Sequence, residues 1–377
     1  MISITVEQHC LLELIKASLF DIHPNIPKEA DWKLIFESAK IQCLVPLVAS
    51  IVPKEYRNEW NGISYQSKAY YMQMIYEQNK LFRLFMDKNI PFVILKGTSA
   101  AIYYPNPQLR TFGDIDFLVS EDNLVSATKV METNGYIYIS NDDRHYEFTK
   151  NGFIFELHSK FSCDRYNDID HIVLHGLNNA VEYKIGTASF PGLRTYDNGL
   201  VLLGHIMQHL KSLGIGLRQI IDWMMFVYNE LDDTAWENSF KSIAKEAGLE
   251  KLAKTVTLMC KKWLGLPDTI TWCDDADDEI ADQLLIRILD DGNFGQDRAP
   301  FEIAKKSIKE GGFKYLQSAG LENWPLAQKH AIFRPFAWLY QLFKYLFTGI
   351  ACLFTGKKLF MKDKHKMSLE DLFKKLV

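Results

Sequence analysis

Asp114-Ile115-Asp116 sets two carboxylates two residues apart within an apolar run, a pattern that can do chemistry. On a β-strand, residues i and i+2 project to the same side, so the two carboxylates converge while Ile115 and Phe117 point to the opposite, buried face. Two like charges held that close repel unless a cation lies between them. Mg2+ suits the place, because it prefers hard oxygen ligands and keeps positions open for phosphate oxygens. An Asp-x-Asp alone is a weak signal, since the pattern arises by chance in many strands. Two further stretches strengthen it. Upstream, Gly97-Thr98-Ser99 follows an apolar run and precedes a helical pattern. A glycine there lets the backbone approach a phosphate, and the N–H groups of a helix start favour anions. Downstream, Glu156 stands in the apolar strand Phe155-Glu156-Leu157. A carboxylate buried there is costly unless it is paired or bound to a metal, whereas on a solvent-facing side it needs no partner.

The elements that must hold these residues follow from hydrophobic period. Residues 5–90 repeat at helical spacing, with Leu11, Leu12, Leu14, Ile15 and Leu19 in one stretch and Met72, Met74, Ile75, Leu81, Leu84 and Phe85 in another. After Pro91 the period changes. Phe92, Val93, Ile94 and Leu95 form a short apolar run that stops at Lys96-Gly97, a buried strand and a tight turn. Ile115, Phe117, Leu118 and Val119 make a second strand, and 121–134 a helix ended by Asn134-Gly135. Strand patterns follow at 136–139, 145–149 and 153–161, and Asn151-Gly152 between the last two predicts a hairpin. The sheet should therefore be mixed, and mostly antiparallel beyond its second strand. From Tyr196 the helical period returns, broken at 214–216, and further helices are expected at 236–264, 276–290 and 299–318. The predicted class is α+β. An N-terminal helical region spans 1–87, an α/β domain 88–192, a helical domain 193–325 and an apolar, then basic, helical tail 326–377.

Taken in order, Val93-Ile94-Leu95-Lys96-Gly97-Thr98, Arg110, residues 114–119 and Phe155-Glu156-Leu157-His158 resemble the DNA polymerase β nucleotidyltransferase superfamily. More narrowly, Leu95-Lys96-Gly97, Tyr104-Pro105, Arg110 and the Glu156-Leu157-His158 strand look like an uncharacterised bacterial nucleotidyltransferase-like family. The stretch 204–209, with Arg218 and Asp222 after it, fits that family's helical region, so the resemblance covers about 90–230. It implies a polymerase β-like sheet domain between helical regions, and transfer of a nucleoside monophosphate from an NTP such as ATP to a hydroxyl, with release of pyrophosphate. In that scheme Asp114, Asp116 and Glu156 are the catalytic carboxylates and hold two Mg2+ ions. Lys96, Gly97, Thr98, Ser99 and Arg110 contact the nucleotide's phosphates. The chain departs from the family pattern at Thr98, where Gly or Ser is usual; a hydroxyl is retained.

Other residues leave alternatives open. His158 shares a strand face with Glu156 and so can line the site. His205 and His209 are i, i+4 on one helix face, a spacing that serves metal binding, acceptor contacts or simple packing. Arg218 and Asp222 have the spacing of a helical ion pair, and are otherwise acceptor-side candidates. Asp-x-Asp strands also occur in metal-dependent glycosyltransferases, but those place a nucleotide-binding βαβ region before the motif, where this chain has helices. A catalytically silent member that binds nucleotide or a partner is the other rival, and the full carboxylate set argues against it.

Composition narrows the partners. With 43 Lys and Arg against 47 Asp and Glu, the net charge is −4. A protein wrapping nucleic acid ordinarily shows a basic excess, so a small molecule or protein acceptor is expected rather than an RNA end. Cys10, Cys43, Cys163, Cys260, Cys273 and Cys352 show no CxxC pair and read as reduced thiols. The N-terminus lacks the pattern of a signal peptide, and a cytoplasmic protein is expected. Residues 332–355 are rich in aromatic and apolar side chains, and Lys357, Lys358, Lys362, Lys364 and Lys366 follow. That pattern suits peripheral membrane contact or packing on a second protomer through 332–366.

Overall fold

The structure is a computed structural model, in which residues 4–141, 145–161, 169–211, 214–292, 333–340, 343, 367 and 369–376 are described. The chain divides into two compact units, one of residues 1–294 with 369–377 and the other of residues 295–368. In the second unit residues 334–340 are helical. The helix expected at 299–318, and most of the 332–366 segment, lie outside the described residues. Among the described residues, no helix is long and apolar enough to cross a membrane.

The first unit opens with helices. α1 (Val6–Phe20) starts at a capping box, in which Gln8 N–H donates to Thr5 Oγ1 and Thr5 N–H to Gln8 Oε1. α2 (Trp32–Ile41), begun by the Asp31 cap, and the short α3 (Val45–Val48) lead into α4 (Arg57–Asp87). Along α4, Tyr71, Met74, Gln78, Leu81 and Phe85 recur three or four residues apart and are buried. That stripe packs on the sheet: Phe85 meets Phe92 and Phe117 edge-on at ring-centroid distances of 5.2 and 5.6 Å.

Seven strands form one mixed sheet: β1 (Val93–Ile94), β2 (Ile115–Leu118), β3 (Ile137–Asn141), β4 (His145–Lys150), β5 (Phe153–His158), β6 (Val181–Ile185) and β7 (Ala188–Gly192). Their order is β3-β4-β5-β2-β1-β7-β6. β2 pairs parallel to β5, and β1 parallel to β7; the remaining pairs are antiparallel. The Asn151-Gly152 hairpin joins β4 to β5, with both turn residues at positive φ. The β6–β7 hairpin is an addition to the strands read from sequence.

Strand alternation divides the sheet's two faces. Ile115, Phe117, Phe155, Leu157, Phe148 and Phe153 join α4 in the core, each buried. Each such side chain contributes about 1.5–3 kcal/mol through burial. The residues between them, Asp116, Glu156 and His158, belong to the opposite face.

Three further helices position that face: α5 (Gly97–Ala101), α7 (Asp170–Asn178) and α8 (Thr195–Lys211); α6 (Glu121–Thr133) lies on the core face instead, where its Ala127 and Met131 join the α4 cluster. α8 packs against α9 (Leu217–Glu230), and a Cβ on Gly199 would lie 2.3 Å from Phe226 Cζ, so only glycine permits that approach. Helices Glu250–Leu264 and Asp278–Asp291 complete the unit. The acidic run at 274–279 supplies the Asp277 N-cap of the latter, while Asp274 and Asp275 pair with Lys261 and Lys254.

Candidate active site

Two register relationships assemble the site. The parallel pairing sets Asp116 opposite Glu156 and Leu118 opposite His158. The hairpin sets His145 opposite His158. Since side chains alternate, Asp116, Glu156, His158 and His145 come together on one face. His158 Nε2 lies 3.1 Å from Asp116 Oδ1 and 3.2 Å from Glu156 Oε2. His145 Nε2 is 3.8 Å from Glu156 Oε1, and its ring is tilted against His158 with centroids 5.1 Å apart. Ligand atoms of Asp116, Glu156 and His158 all fall within 4.8 Å of one another. Asp114 stands at the entry to β2, one residue before it starts, and is exposed.

β1 delivers the next charge. Leu95 N–H still bonds the Asp116 carbonyl at 2.9 Å, and then the chain turns sharply, with Lys96 at φ 45° and Gly97 at φ 36°. Positive φ suits glycine and strains lysine, so the turn holds Lys96 in an uncommon conformation. Its ammonium reaches Asp116 Oδ1 at 2.5 Å.

These contacts set the electrostatics. Burial would raise the Asp116 carboxyl, but Lys96 and His158 outweigh it and hold the group well below the usual range. Burial pushes Glu156 up to about 7; Asp116 and Asp114 add to the rise, while His158 and Lys96 oppose it. Burial disfavours charge on Lys96 and on His158, yet the surrounding carboxylates raise both.

The remaining candidates separate into groups. Thr98 donates its hydroxyl to Gln78 Oε1 at 2.6 Å, and Ser99 to the Ile94 carbonyl at 2.7 Å. Both hydroxyls therefore brace the turn, and any phosphate contact there falls to backbone. Arg110 forms a buried bidentate pair with Asp222, Nε to Oδ1 at 2.8 Å and Nη2 to Oδ2 at 2.7 Å. Tyr104 donates to the same Oδ1 at 2.8 Å. Arg110 and Asp222, expected on the phosphate and acceptor sides, are thus brought together with each other. Arg218 donates to the Thr111 carbonyl at 3.0 Å. His205 and His209 approach Nε2 to Nε2 at 2.6 Å. Burial, His209 and Lys96 hold His205 well below its ordinary value.

The sequence assigns no role to His145 or Gln78, and marks Tyr104 only through the family resemblance, not as a partner of Asp222. For His145 a signal existed: a two-residue Asn151-Gly152 turn fixes the β4–β5 register, which places residue 145 across from 158.

The donor set suits a divalent cation. Asp116, Glu156 and His158 offer ligand atoms within 4.8 Å of one another, Asp114 stands outside that cluster at the exposed strand entry, and the chain brings Lys96 to the same negative charge.

A mixed sheet carrying cross-strand carboxylates beside a strand–Gly97 turn, flanked by helices, defines a nucleotidyltransferase-type domain. The chain belongs to the family described as uncharacterised nucleotidyltransferase, whose model matches residues 28–265. Among solved structures, it is similar to a solution structure of the antibiotic-resistance factor ANT(2'')-Ia, at 12% identity and a TM-score of 0.36, over 48% of this chain and 96% of that one. A crystal structure of ANT(2'')-Ia with adenylyl-2''-tobramycin aligns at 10% identity and a TM-score of 0.34, over 50% of this chain and 98% of that one. No curated protein matches the chain.

Proposed function

We propose that this protein transfers a nucleoside monophosphate from an NTP to the hydroxyl of a small molecule or protein, in the cytoplasm. The observation that carries the reading is the facing of Asp116 and Glu156 across β2 and β5, beside the Lys96-Gly97 turn. The acceptor oxygen attacks the α-phosphorus in line. Its new O–P bond forms as the bond to the β-phosphate oxygen breaks, and pyrophosphate leaves with that electron pair.

Asp116 and Glu156, with Asp114 at the strand entry, would hold a divalent cation. When bound, the cation neutralises triphosphate charge and lowers the pKa of the acceptor hydroxyl. Gly97, with no side chain, admits phosphate to the backbone of the turn. Lys96 contributes the nearest ammonium to that phosphate. Glu156, its carboxyl pushed up to about 7, would orient the acceptor and take its proton, and His205 would contact the acceptor. Arg110, Asp222, Tyr104 and Arg218 brace the wall between the turn and α9 and hold these groups in position.

The test is incubation of cell extract with the full chain, a divalent cation and each labelled NTP in turn, followed by mass spectrometry. The expected result is an extract component gaining the mass of one NMP residue, with matching pyrophosphate, and no gain with Asp116→Asn. If no NTP is consumed under any cation, the reading is wrong.

A further inference from the structure

The cation-binding face holds a nitrogen where an all-oxygen Mg2+ site would not. Resting on the reading that Asp116 and Glu156 hold a divalent cation, we propose that His158 is a third ligand and that the site takes a first-row transition cation in preference to Mg2+, with Mn2+ as its spectroscopic probe.

Three observations support this. The first is spacing. Ligands at about 2.1 Å in an octahedral shell lie roughly 3.0 Å from their neighbours. His158 Nε2 is 3.1 Å from Asp116 Oδ1 and 3.2 Å from Glu156 Oε2, so the nitrogen already stands at neighbouring-ligand distance from both carboxylates, and the ligand atoms of all three residues lie within 4.8 Å of one another. The second is the far side of the ring. His158 is 4% exposed, and its Nδ1 is buried without a hydrogen-bond partner. In most proteins a second partner at the far nitrogen fixes a ligating histidine's tautomer. Here Nε2 alone meets polar groups, so the ring turns its one engaged nitrogen toward the two carboxylates, where a cation would take its lone pair; the unpartnered Nδ1–H is a cost that ligation must outweigh. The third is the neighbourhood. His145 lies tilted against His158 with its Nε2 3.8 Å from Glu156 Oε1, which makes this corner of the sheet rich in imidazole as well as carboxylate. Imidazole suits Fe2+, Ni2+ and Zn2+, whereas carboxylate and water suit Mg2+ and Mn2+.

The test uses the full chain without nucleotide. Mn2+ is added and binding is followed by loss of the free-ion electron paramagnetic resonance signal, with Mg2+ as competitor. Pulsed spectra of the bound ion report directly coordinated nitrogen. The expected result is 14N modulation in the wild type and in His145→Gln, and its loss in His158→Gln. Mn2+ affinity should fall by about 10–100-fold in His158→Gln, while Mg2+ affinity moves much less. Bound Mn2+ without nitrogen coupling in the wild type overturns the proposal and leaves the nucleotidyltransferase reading standing; that measurement does not depend on the variant folding. Failure of the wild type to bind any divalent cation, with or without NTP, overturns both.

Discussion

Lys96 Nζ lies 2.5 Å from Asp116 Oδ1, joining the end of β1 to the middle of β2 through an ion pair that is nearly closed to solvent. Carboxylates crowded on one strand face are expected to repel until a cation arrives. In this fold the chain's own Lys96 and His158 supply that counter-charge. Asp116→Asn should therefore destabilise the protein even without metal, by about 3 kcal/mol, the low end for breaking a buried pair, because Glu156 stands by to balance Lys96. Asp114→Asn, at an exposed position, should leave the melting temperature near wild type while impairing transfer. Thermal unfolding in chelator checks both; a higher melting temperature for Asp116→Asn would show that the ion pair contributes nothing.

The Arg110–Asp222–Tyr104 group offers a second test. Asp222→Ala leaves a buried guanidinium and a buried phenol unpaired, and should cost about 3–5 kcal/mol in urea unfolding. Replacing both ions, Arg110→Met with Asp222→Leu, should cost much less than the two single changes added together. Additive losses would mean that the pair is not coupled.

At the turn, Gly97→Ala puts a side chain at φ 36°, where an added Cβ meets only the Asp114 carbonyl at 3.9 Å. The penalty is conformational rather than steric, about 1–2 kcal/mol. The shift in melting temperature caused by NTP should also shrink. Thr98→Val removes the bond to Gln78 and should cost about 1 kcal/mol with that NTP-induced shift retained. Loss of the shift in Thr98→Val alone would instead assign its hydroxyl to phosphate.

A pH effect is expected away from the site. Asp233 accepts from the Thr271 N–H at 2.8 Å, from the Thr271 hydroxyl and from the Trp272 N–H at 3.1 Å. Burial would raise its carboxyl, but these bonds lower it below the ordinary value. A depressed folded value means stability that is present above the unfolded carboxyl's value of about 3.9 and is lost as pH falls through the folded one. Asp233→Asn should flatten the fall in stability below about pH 4, seen as a smaller gap between wild type and variant in acid unfolding.

The sequence made part of this arrangement legible for identifiable reasons. Two-residue alternation marks β2 and β5, and Asn151-Gly152 fixes the hairpin that aligns His145 with His158. Contacts between distant segments could not be read the same way. Helical spacing offers Arg218 as a partner for Asp222, whereas Arg110, 112 residues away, engages both carboxylate oxygens. Thr98 and Ser99 have the chemistry to bind phosphate, yet their hydroxyls turn inward to Gln78 and Ile94, a choice of rotamer that no local pattern reveals. The β6–β7 pair was hidden by composition, since Val181–Ile185 is largely exposed and Pro191 interrupts the apolar run of Ala188–Gly192.

The parallel pairing of β2 with β5 also orders events in time. Asp116 and His158 are separated by 42 residues, and the chain must run through α6, β3 and β4 before they can meet. Closing that span costs loop entropy that only the finished pairing repays. A nascent chain that has emerged from the ribosome as far as β4 therefore carries Lys96 and Asp116 but neither Glu156 nor His158, and the face that joins these four residues arises as one of the later steps of folding.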